Sequence, residues 1–262
     1  MCTIIALNGV RADQTLVIAT NRDEFYARPT SGPVRLLEQP KAVGGRDLAG
    51  PGTWMGVTSE GLFVGVTNQR GFAPRDPSKR SRGEIVIDAL ARGSSRAVLA
   101  YLRTLDARAF NDFNLLWGDA SSLYVAYGRA SQRELELEQV PPGLHVLPND
   151  RLDSPDFAKV ARARELIAPL VDAPLPKLTS ALERALADRM LPELETIPVP
   201  PAEARFDRAL LRELAALCVR TPVYGTRSST VVALGRTGVL HYGYADGAPD
   251  QTPFSDVTPL FR

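Results

Sequence analysis

The second residue of the chain is a cysteine, and its position offers a chemistry that an internal cysteine lacks. Removal of Met1 would make Cys2 the N-terminus and place a thiol and a free α-amine on one residue. An α-amine has a pKa near ~8, so it accepts a thiol proton at neutral pH, and the pair can act as a nucleophile with its own base. The alternative is that Cys2 is a small apolar residue opening a strand.

A polar run, Asn21-Arg22-Asp23-Glu24, follows the second of two apolar segments. Residues 2–7 and 15–20 are apolar on both alternating faces, which predicts two buried strands, and Asn8-Gly9 between them is a turn signal. Antiparallel pairing would bring Arg22 and Asp23, at the end of the second strand, beside Cys2. Without that pairing, Arg22 with Asp23 is an ordinary surface ion pair.

The rest of the chain alternates groups of strands with groups of helices. Strands are predicted at residues 53–58, 62–67, 113–118, 123–127, 134–138, 143–147, 228–234 and 238–244, and helices at 85–91, 96–105, 178–187 and 207–217. A further helix is predicted to run to residue 170 from a cap and first turn at Asp153-Ser154-Pro155. This order favours an α+β fold of two stacked, mainly antiparallel sheets covered by helices, in a single domain spanning residues 1–262.

Three segments are interpreted from turn residues and strand order. Residues 30–43 are predicted to be irregular, and the glycine-rich run 44–52 to be a turn. That run lacks the Gly-Lys-Ser/Thr ending and precedes a strand, which excludes a phosphate loop. The four consecutive strands between residues 113 and 147 are predicted to form one meander.

Composition excludes several classes of function. A formal net charge of +1 gives no attraction to nucleic acid or to an anionic membrane. No apolar run approaches the ~18 residues of a membrane span, and the N-terminal run is too short for a signal peptide, so we expect a cytoplasmic protein without stable membrane insertion. Two cysteines and two distant histidines indicate neither a disulfide framework nor a metal site.

A series of short motifs resembles one known family. In order, they are Cys2-Thr3, Asn21-Arg22-Asp23-Glu24-Phe25-Tyr26 with Arg28-Pro29, Gly44-Gly45-Arg46-Asp47 with Gly52-Thr53-Trp54, Thr67-Asn68 with Ser81-Arg82-Gly83, Phe113-Asn114-Leu115, Asn149 with Leu152-Asp153 and Pro155, and Tyr224-Gly225-Thr226-Arg227-Ser228-Ser229-Thr230. Together they resemble the NRDE family, also called the transport and Golgi organisation 2 family. The chain departs from the family pattern around Pro148 and Phe157.

The resemblance implies a fold and a set of site residues. The family is similar in pattern to the N-terminal-nucleophile hydrolases, whose fold is a four-layer α-β-β-α sandwich. By this resemblance Cys2 would be both nucleophile and base, Arg22 would lower the thiol pKa, and Asp23 would orient the α-amine. The remaining expected site residues are Asn68 or Asn149, for the oxyanion, and Arg227, for charge or substrate.

Two functions follow from the resemblance. The first is an N-terminal cysteine amidohydrolase that acts on a small amide and needs no cofactor. The second is a haem-trafficking carrier that keeps the hydrolase fold without covalent catalysis. Its candidate axial ligands are Cys2, His145, His241 and the methionines, and neither cysteine precedes a proline as in regulatory haem motifs. Retention of Met1 would exclude the hydrolase mechanism.

Overall fold

Two antiparallel sheets stacked face to face form the centre of the protein. A computed structural model describes residues 2–11, 13–70, 75–201, 204 and 207–262. The strands of the first sheet are β1 (Cys2–Asn8), β2 (Leu16–Phe25), β10 (Gly143–Leu147), β11 (Tyr224–Gly235), β12 (Gly238–Ala245) and β13 (Ser255–Asp256). Their spatial order is β10-β1-β2-β11-β12-β13.

The second sheet is a seven-stranded meander in sequence order. Its strands are β3 (Thr30–Glu38), β4 (Lys41–Asp47), β5 (Met55–Thr58), β6 (Phe63–Asn68), β7 (Phe113–Gly118), β8 (Leu123–Gly128) and β9 (Glu136–Val140). All the described pairings in both sheets are antiparallel.

Helices cover the outer face of each sheet. The α-helices are α1 (Arg82–Leu90), α2 (Ser95–Leu102), α3 (Ala158–Ile167), α4 (Leu175–Leu186) and α5 (Arg208–Glu213). Helices α1 and α2 pack on the seven-stranded sheet, and α3 and α4 pack on the six-stranded sheet. The result is the four-layer α-β-β-α sandwich of the α+β class, as predicted.

The period-2 pattern of the strands explains why β1 and β2 are apolar on both faces. Ile4 and Ile18 lie in the core between the two sheets. Ile5, Val17 and Ala19 alternate with them and pack against α3 and α4. Each strand therefore needs apolar residues at both odd and even positions, and this pattern is the one that predicted two buried strands from the sequence.

The prediction for residues 30–47 is wrong, because most of this segment forms β3 and β4, whereas residues 48–52 form a bend as predicted. Gly44 and Gly45, which the sequence suggested as turn residues, lie inside β4, where close approach requires glycine. A Cβ on Gly44 would lie 2.3 Å from the Met55 carbonyl oxygen. Glycine here permits contact between backbones, as it does at close strand approaches elsewhere.

The strand at residues 143–147 is predicted correctly, but its partner is not. It crosses over to pair with β1, with Ile4 opposite Leu147, and leaves the meander of the second sheet. The charged strand β9 begins and ends two residues later than predicted.

The helix predicted from Asp153 begins later, at Ala158. Asp153 does not cap it. Its backbone has φ +60°, and its carboxylate accepts a hydrogen bond from the Val146 amide at 2.8 Å and contacts His145 Nδ1 at 2.7 Å. The last predicted helix, at 207–217, is also shorter, since α5 ends at Glu213. In the described part of the chain, no helix is long and apolar enough to cross a membrane.

Candidate functional site

The strand pairing predicted for the N-terminal hairpin is confirmed, and it places Cys2 directly opposite Arg22. Strand β2 is longer than predicted, so Arg22 and Asp23 lie within it and not beyond its end. Both side chains are buried, with 5% and 4% of their surface exposed. The interpretation of Arg22 and Asp23 as a surface ion pair is therefore wrong.

Alternation along β2 sends neighbouring motif residues to opposite faces of the sheet. Asn21 faces the helices: its amide donates to the carbonyl oxygens of Leu186 and Leu217, at 2.9 and 2.8 Å, and its Oδ1 accepts from Ser229. Arg22, at the next position, lies on the side of Cys2. The motif thus ties β2 to the helical layer while it holds a guanidinium beside the thiol.

A tryptophan holds Arg22 in place. The Arg22 guanidinium carbon lies 4.3 Å from the centre of the Trp54 ring, a cation–π contact. Trp54 fits there because residue 45 is glycine, since a Cβ on Gly45 would lie 2.2 Å from the tryptophan ring. The Gly44-Gly45 and Trp54 motifs therefore position Arg22, a role the sequence alone did not indicate.

A small cavity of about 100 Å³ joins four of the six predicted site residues: Cys2, Arg22, Asp23 and Asn68. Asn68 is the last residue of β6, in the opposite sheet. The cavity therefore lies at one end of the sandwich, where side chains of both sheets meet. Cys2 is half-buried at its wall.

Burial raises the pKa of the Cys2 thiol above its ordinary value. The Asp23 charge acts in the same direction, whereas a hydrogen bond from the Asp23 backbone amide and the charge of Arg22 lower this pKa. Burial is the largest of these effects. A base near the thiol would therefore assist its deprotonation.

Asp23 lies on the helical side of the sheet. Its Oδ1 accepts a hydrogen bond from the Thr226 hydroxyl at 2.7 Å, across the β2–β11 pairing. Burial raises the pKa of Asp23, and the nearby charge of Lys159 lowers it.

Lys159 is a residue that the sequence analysis missed. It lies in the first turn of α3, is 1% exposed, and its Nζ has no hydrogen-bond partner among the described residues. Burial lowers its pKa, while the charges of Asp23 and Cys2 raise it. The sequence does indicate the burial of Lys159, because this residue falls on the apolar stripe of α3 with Ala163 and Ile167. A lysine is rarely buried without a functional or electrostatic reason.

The two asparagines occupy different positions. Asn149 is 1% exposed, and its side-chain amide donates to the Asn68 carbonyl oxygen at 2.7 Å. The Asn149 carbonyl in turn accepts from the Arg70 amide at 2.6 Å. Asn149 thus supports the backbone behind Asn68, and Asn68 is the asparagine at the wall of the Cys2 cavity.

Arg227 is not part of the cavity lining. It lies at a bulge in β11, between Thr226, which pairs with Asp23, and Ser228, which pairs with Arg22. Its Nε is buried without a hydrogen-bond partner in the described structure. The fold therefore brings the Arg227 backbone beside the site but does not direct it to the thiol cavity.

A larger cavity of about 520 Å³ adjoins the site and shares Asn68 with it. Its wall is mostly apolar and includes Phe25, Leu210, Leu211 and Val223. Within the described ranges, no group of three or more His, Cys, Asp or Glu side chains is arranged to hold a metal ion.

Comparison with curated proteins finds relatives along most of the chain. The Transport and Golgi organization protein 2 homolog of Bos taurus is 31% identical over 263 residues, which cover 94% of this chain and 92% of the relative. The Mus musculus homolog is 30% identical and covers 85% and 83%.

Comparison with solved structures finds the same architecture at low sequence identity. A conjugated bile acid hydrolase from Clostridium perfringens has a TM-score of 0.57 at 12% identity and covers 100% of this chain and 94% of its own. A Caenorhabditis elegans ortholog of N-acylethanolamine-hydrolyzing acid amidase has a TM-score of 0.55 at 13% identity, with 91% and 98% covered. These similarities show the N-terminal-nucleophile hydrolase fold.

The model of one family, Transport and Golgi organisation 2, matches residues 1–243. With the relatives above, this match confirms the resemblance inferred from the motifs. The chain belongs to the Transport and Golgi organisation 2 family and has the fold of the N-terminal-nucleophile hydrolases.

Proposed function

We propose that this protein, after removal of Met1, is an N-terminal cysteine amidohydrolase that acts on a small amide. The observation that carries the proposal is the pairing of Cys2 with Arg22 at the wall of a cavity that also includes Asp23 and Asn68. A nucleophile, a cation and an amide donor are thereby collected around one small space.

The first step needs a base for the thiol. In the processed chain the Cys2 α-amine takes the thiol proton, and the thiolate attacks the amide carbonyl carbon to form a C–S bond. In this proposal Asp23, whose Oδ1 accepts a hydrogen bond from Thr226, orients the amine. Arg22 favours the thiolate because its positive charge lowers the thiol pKa.

The second step cleaves the C–N bond of the amide. We assign the oxyanion to the side chain of Asn68, because Asn68 lines the Cys2 cavity and Asn149 does not. The tetrahedral intermediate collapses as the C–N bond breaks, and the leaving amine takes the proton from the Cys2 ammonium. Water then attacks the thioester, giving the carboxylic acid and restoring the thiol.

The names of the structural neighbours are consistent with this chemistry. One is a conjugated bile acid hydrolase and the other an N-acylethanolamine-hydrolyzing acid amidase. The apolar cavity that shares Asn68 with the Cys2 site has room for an acyl group.

The test combines intact mass with activity. We expect mass spectrometry of the purified protein to show loss of Met1, and a panel of N-acyl amides to reveal hydrolysis that Cys2→Ala abolishes. Cys218→Ala is the matched control, because Cys218 is buried away from the cavity and its variant should keep the activity. Retention of Met1 in essentially all molecules, or equal turnover by Cys2→Ala, would overturn the proposal.

No specific observation in the described structure favours the haem-carrier hypothesis. Both ring nitrogens of His145 are engaged, Nδ1 by Asp153 and Nε2 by the Pro141 carbonyl. Cys2 is the one candidate haem ligand found at the wall of the site cavity in the described structure. Haem binding therefore stays a prediction of the resemblance alone.

A further inference from the structure

The Cys2 cavity holds more arginine than its proposed chemistry uses. Four arginines line it, and they are Arg22, Arg28, Arg75 and Arg82, together with the three acids Asp23, Glu24 and Asp47. The distribution of contacts among these groups decides which charges remain for a ligand.

The acids are already engaged. Asp47 is bound by Arg28 at 2.7 Å, and Asp23 accepts from Thr226. Glu24 accepts from the Phe25 amide at 2.9 Å and lies 3.8 Å from Arg28. These contacts neutralise Arg28, and Glu24 also lies 3.9 Å from Arg22. Four arginines and three acids leave one positive charge in excess at the cavity wall.

Arg22 supplies the deepest of these charges. It is 5% exposed, and its Nη1 is buried without a hydrogen-bond partner among the described residues. The Glu24 carboxylate lies 3.9 Å from Nη2, which is beyond hydrogen-bond distance. A buried guanidinium nitrogen without a partner is costly, so an unmet donor at a cavity wall points to a ligand that accepts from it.

Arg82 is held in the cavity by a contact between two backbones. It is the first residue of α1, and Gly83 packs against Gly52 so closely that a Cβ on Gly52 would lie 2.1 Å from the Gly83 carbonyl carbon. Gly52 also has φ +106°, a conformation that favours glycine. The Ser81-Arg82-Gly83 and Gly52-Thr53-Trp54 motifs thus fix the start of α1 beside the cavity.

Arg82 and Arg75 both line the cavity. Neither forms an ion pair with any described acid, and Arg82 Nη1 donates only to the Asp112 carbonyl, at 3.0 Å. Burial, and after it the charge of Arg75, lower the pKa of Arg82 to about 10. Two like charges at one cavity wall repel each other, and a bound anion would remove that repulsion.

We propose that Arg82 and Arg75 bind a carboxylate of the substrate, so that the protein acts on amides carrying a negative charge close to the scissile bond. This inference rests on the proposed hydrolase function and narrows its substrate class. Arginine forks match carboxylate oxygens in pairs, and the small volume beside Cys2 admits a carboxylate but no bulky group. An apolar acyl group would extend past Asn68 into the larger cavity.

The test measures binding without turnover. In a Cys2→Ala background, calorimetry would compare N-octanoylglycine with N-octanoylglycinamide, which differ in the carboxylate charge. We expect the acid to bind about tenfold or more tightly than the neutral amide, and Arg82→Gln and Arg75→Gln to remove most of that preference. Arg75 is exposed, so its variant should fold even if Arg82→Gln does not. Arg35→Gln, an exposed arginine outside the cavity, is the matched control.

The outcomes separate this inference from the proposed function. Equal affinity for acid and amide, no binding of the acid, or an unchanged preference in Arg75→Gln would overturn the carboxylate site. Inorganic phosphate that displaces N-octanoylglycine at lower concentration than acetate does would also overturn it, in favour of a phosphate site. Failure of the Cys2 protein to hydrolyse a tightly bound acid would contradict the hydrolase alone.

Discussion

The two ends of the β1–β2 pair use the same strands in one continuous register but bury opposite kinds of side chain. At one end Ala6 pairs with Ile18 and Leu7 with Val17, and all four residues are apolar and buried. At the other end Cys2 pairs with Arg22 and Thr3 with Asn21. Arg22 and Asn21 are as inaccessible as the apolar residues, although they are strongly polar.

The difference separates an end whose burial stabilises the fold from an end whose burial opposes it. Removing apolar groups from water stabilises the first end, by about 1.5–3 kcal/mol for each large side chain. Burying a guanidinium and a carboxyl at the second end opposes folding unless contacts compensate. Trp54 and Thr226 supply part of that compensation, and a bound substrate would supply more.

The largest expected effect comes from substituting one residue at each end. Ile18→Ala leaves a cavity in the core between the sheets, so we expect a loss of about 2–5 kcal/mol in the free energy of unfolding. Arg22→Met keeps an apolar side chain against Trp54 and removes a buried charge, so the loss should be below about 1 kcal/mol. Urea unfolding followed by fluorescence measures both.

For the reactivity of the Cys2 thiol, we expect the two substitutions to rank in the opposite order, with the larger change in Arg22→Met. Ile18→Ala leaves the charges around Cys2 unchanged, whereas Arg22→Met removes one that favours the thiolate. If Arg22→Met lowers the free energy of unfolding as much as Ile18→Ala does, the stated difference between the two ends of the β1–β2 pair is contradicted.

The next effect concerns the reactivity of Cys2 with iodoacetamide in the full chain. Only the thiolate reacts, so the rate should rise about tenfold per pH unit below the thiol pKa. Because burial raises this pKa, the rise should continue past the ordinary cysteine value of about 8.5, and further still in Arg22→Met.

Measuring these rates in Cys218→Ala isolates Cys2, and the urea-unfolded chain gives the unperturbed reference. A plateau below the reference value in the folded protein would contradict the electrostatics described for the site.

The smallest expected effect is a pH dependence of stability from Asp23. Its pKa is raised in the folded state, so its contribution is complete below the unfolded value near ~3.9 and is lost as pH rises through the folded value. We expect Asp23→Asn to flatten this loss of stability. Lys159→Met should extend the loss to higher pH, because Lys159 lowers the Asp23 pKa.

Urea titrations at a series of pH values measure this, and Asp106→Asn is a control of opposite sign. Arg108 lowers the pKa of Asp106 to about 2, so its stabilisation is lost as pH falls. If Asp23→Asn and the wild type show the same pH profile, the buried carboxyl is not perturbed as described.

The sequence by itself determined the hairpin that makes the site. Apolar residues on both faces of β1 and β2 require strands buried between two layers, and the short turn after Asn8 makes their pairing antiparallel. Cys2 opposite Arg22 follows from these local patterns. The family motifs added Asn68 and the four-layer fold.

The tertiary structure decided what local patterns do not encode. Gly44 and Gly45 look like turn residues, and only their closeness to Met55 and Trp54 shows that they belong to a strand. Lys159 and Asn149 reach the site through packing between segments far apart in sequence. Burial and unmet hydrogen bonds are properties of that packing, so the buried Nη1 of Arg22 and the buried Nζ of Lys159 became visible only in the folded chain.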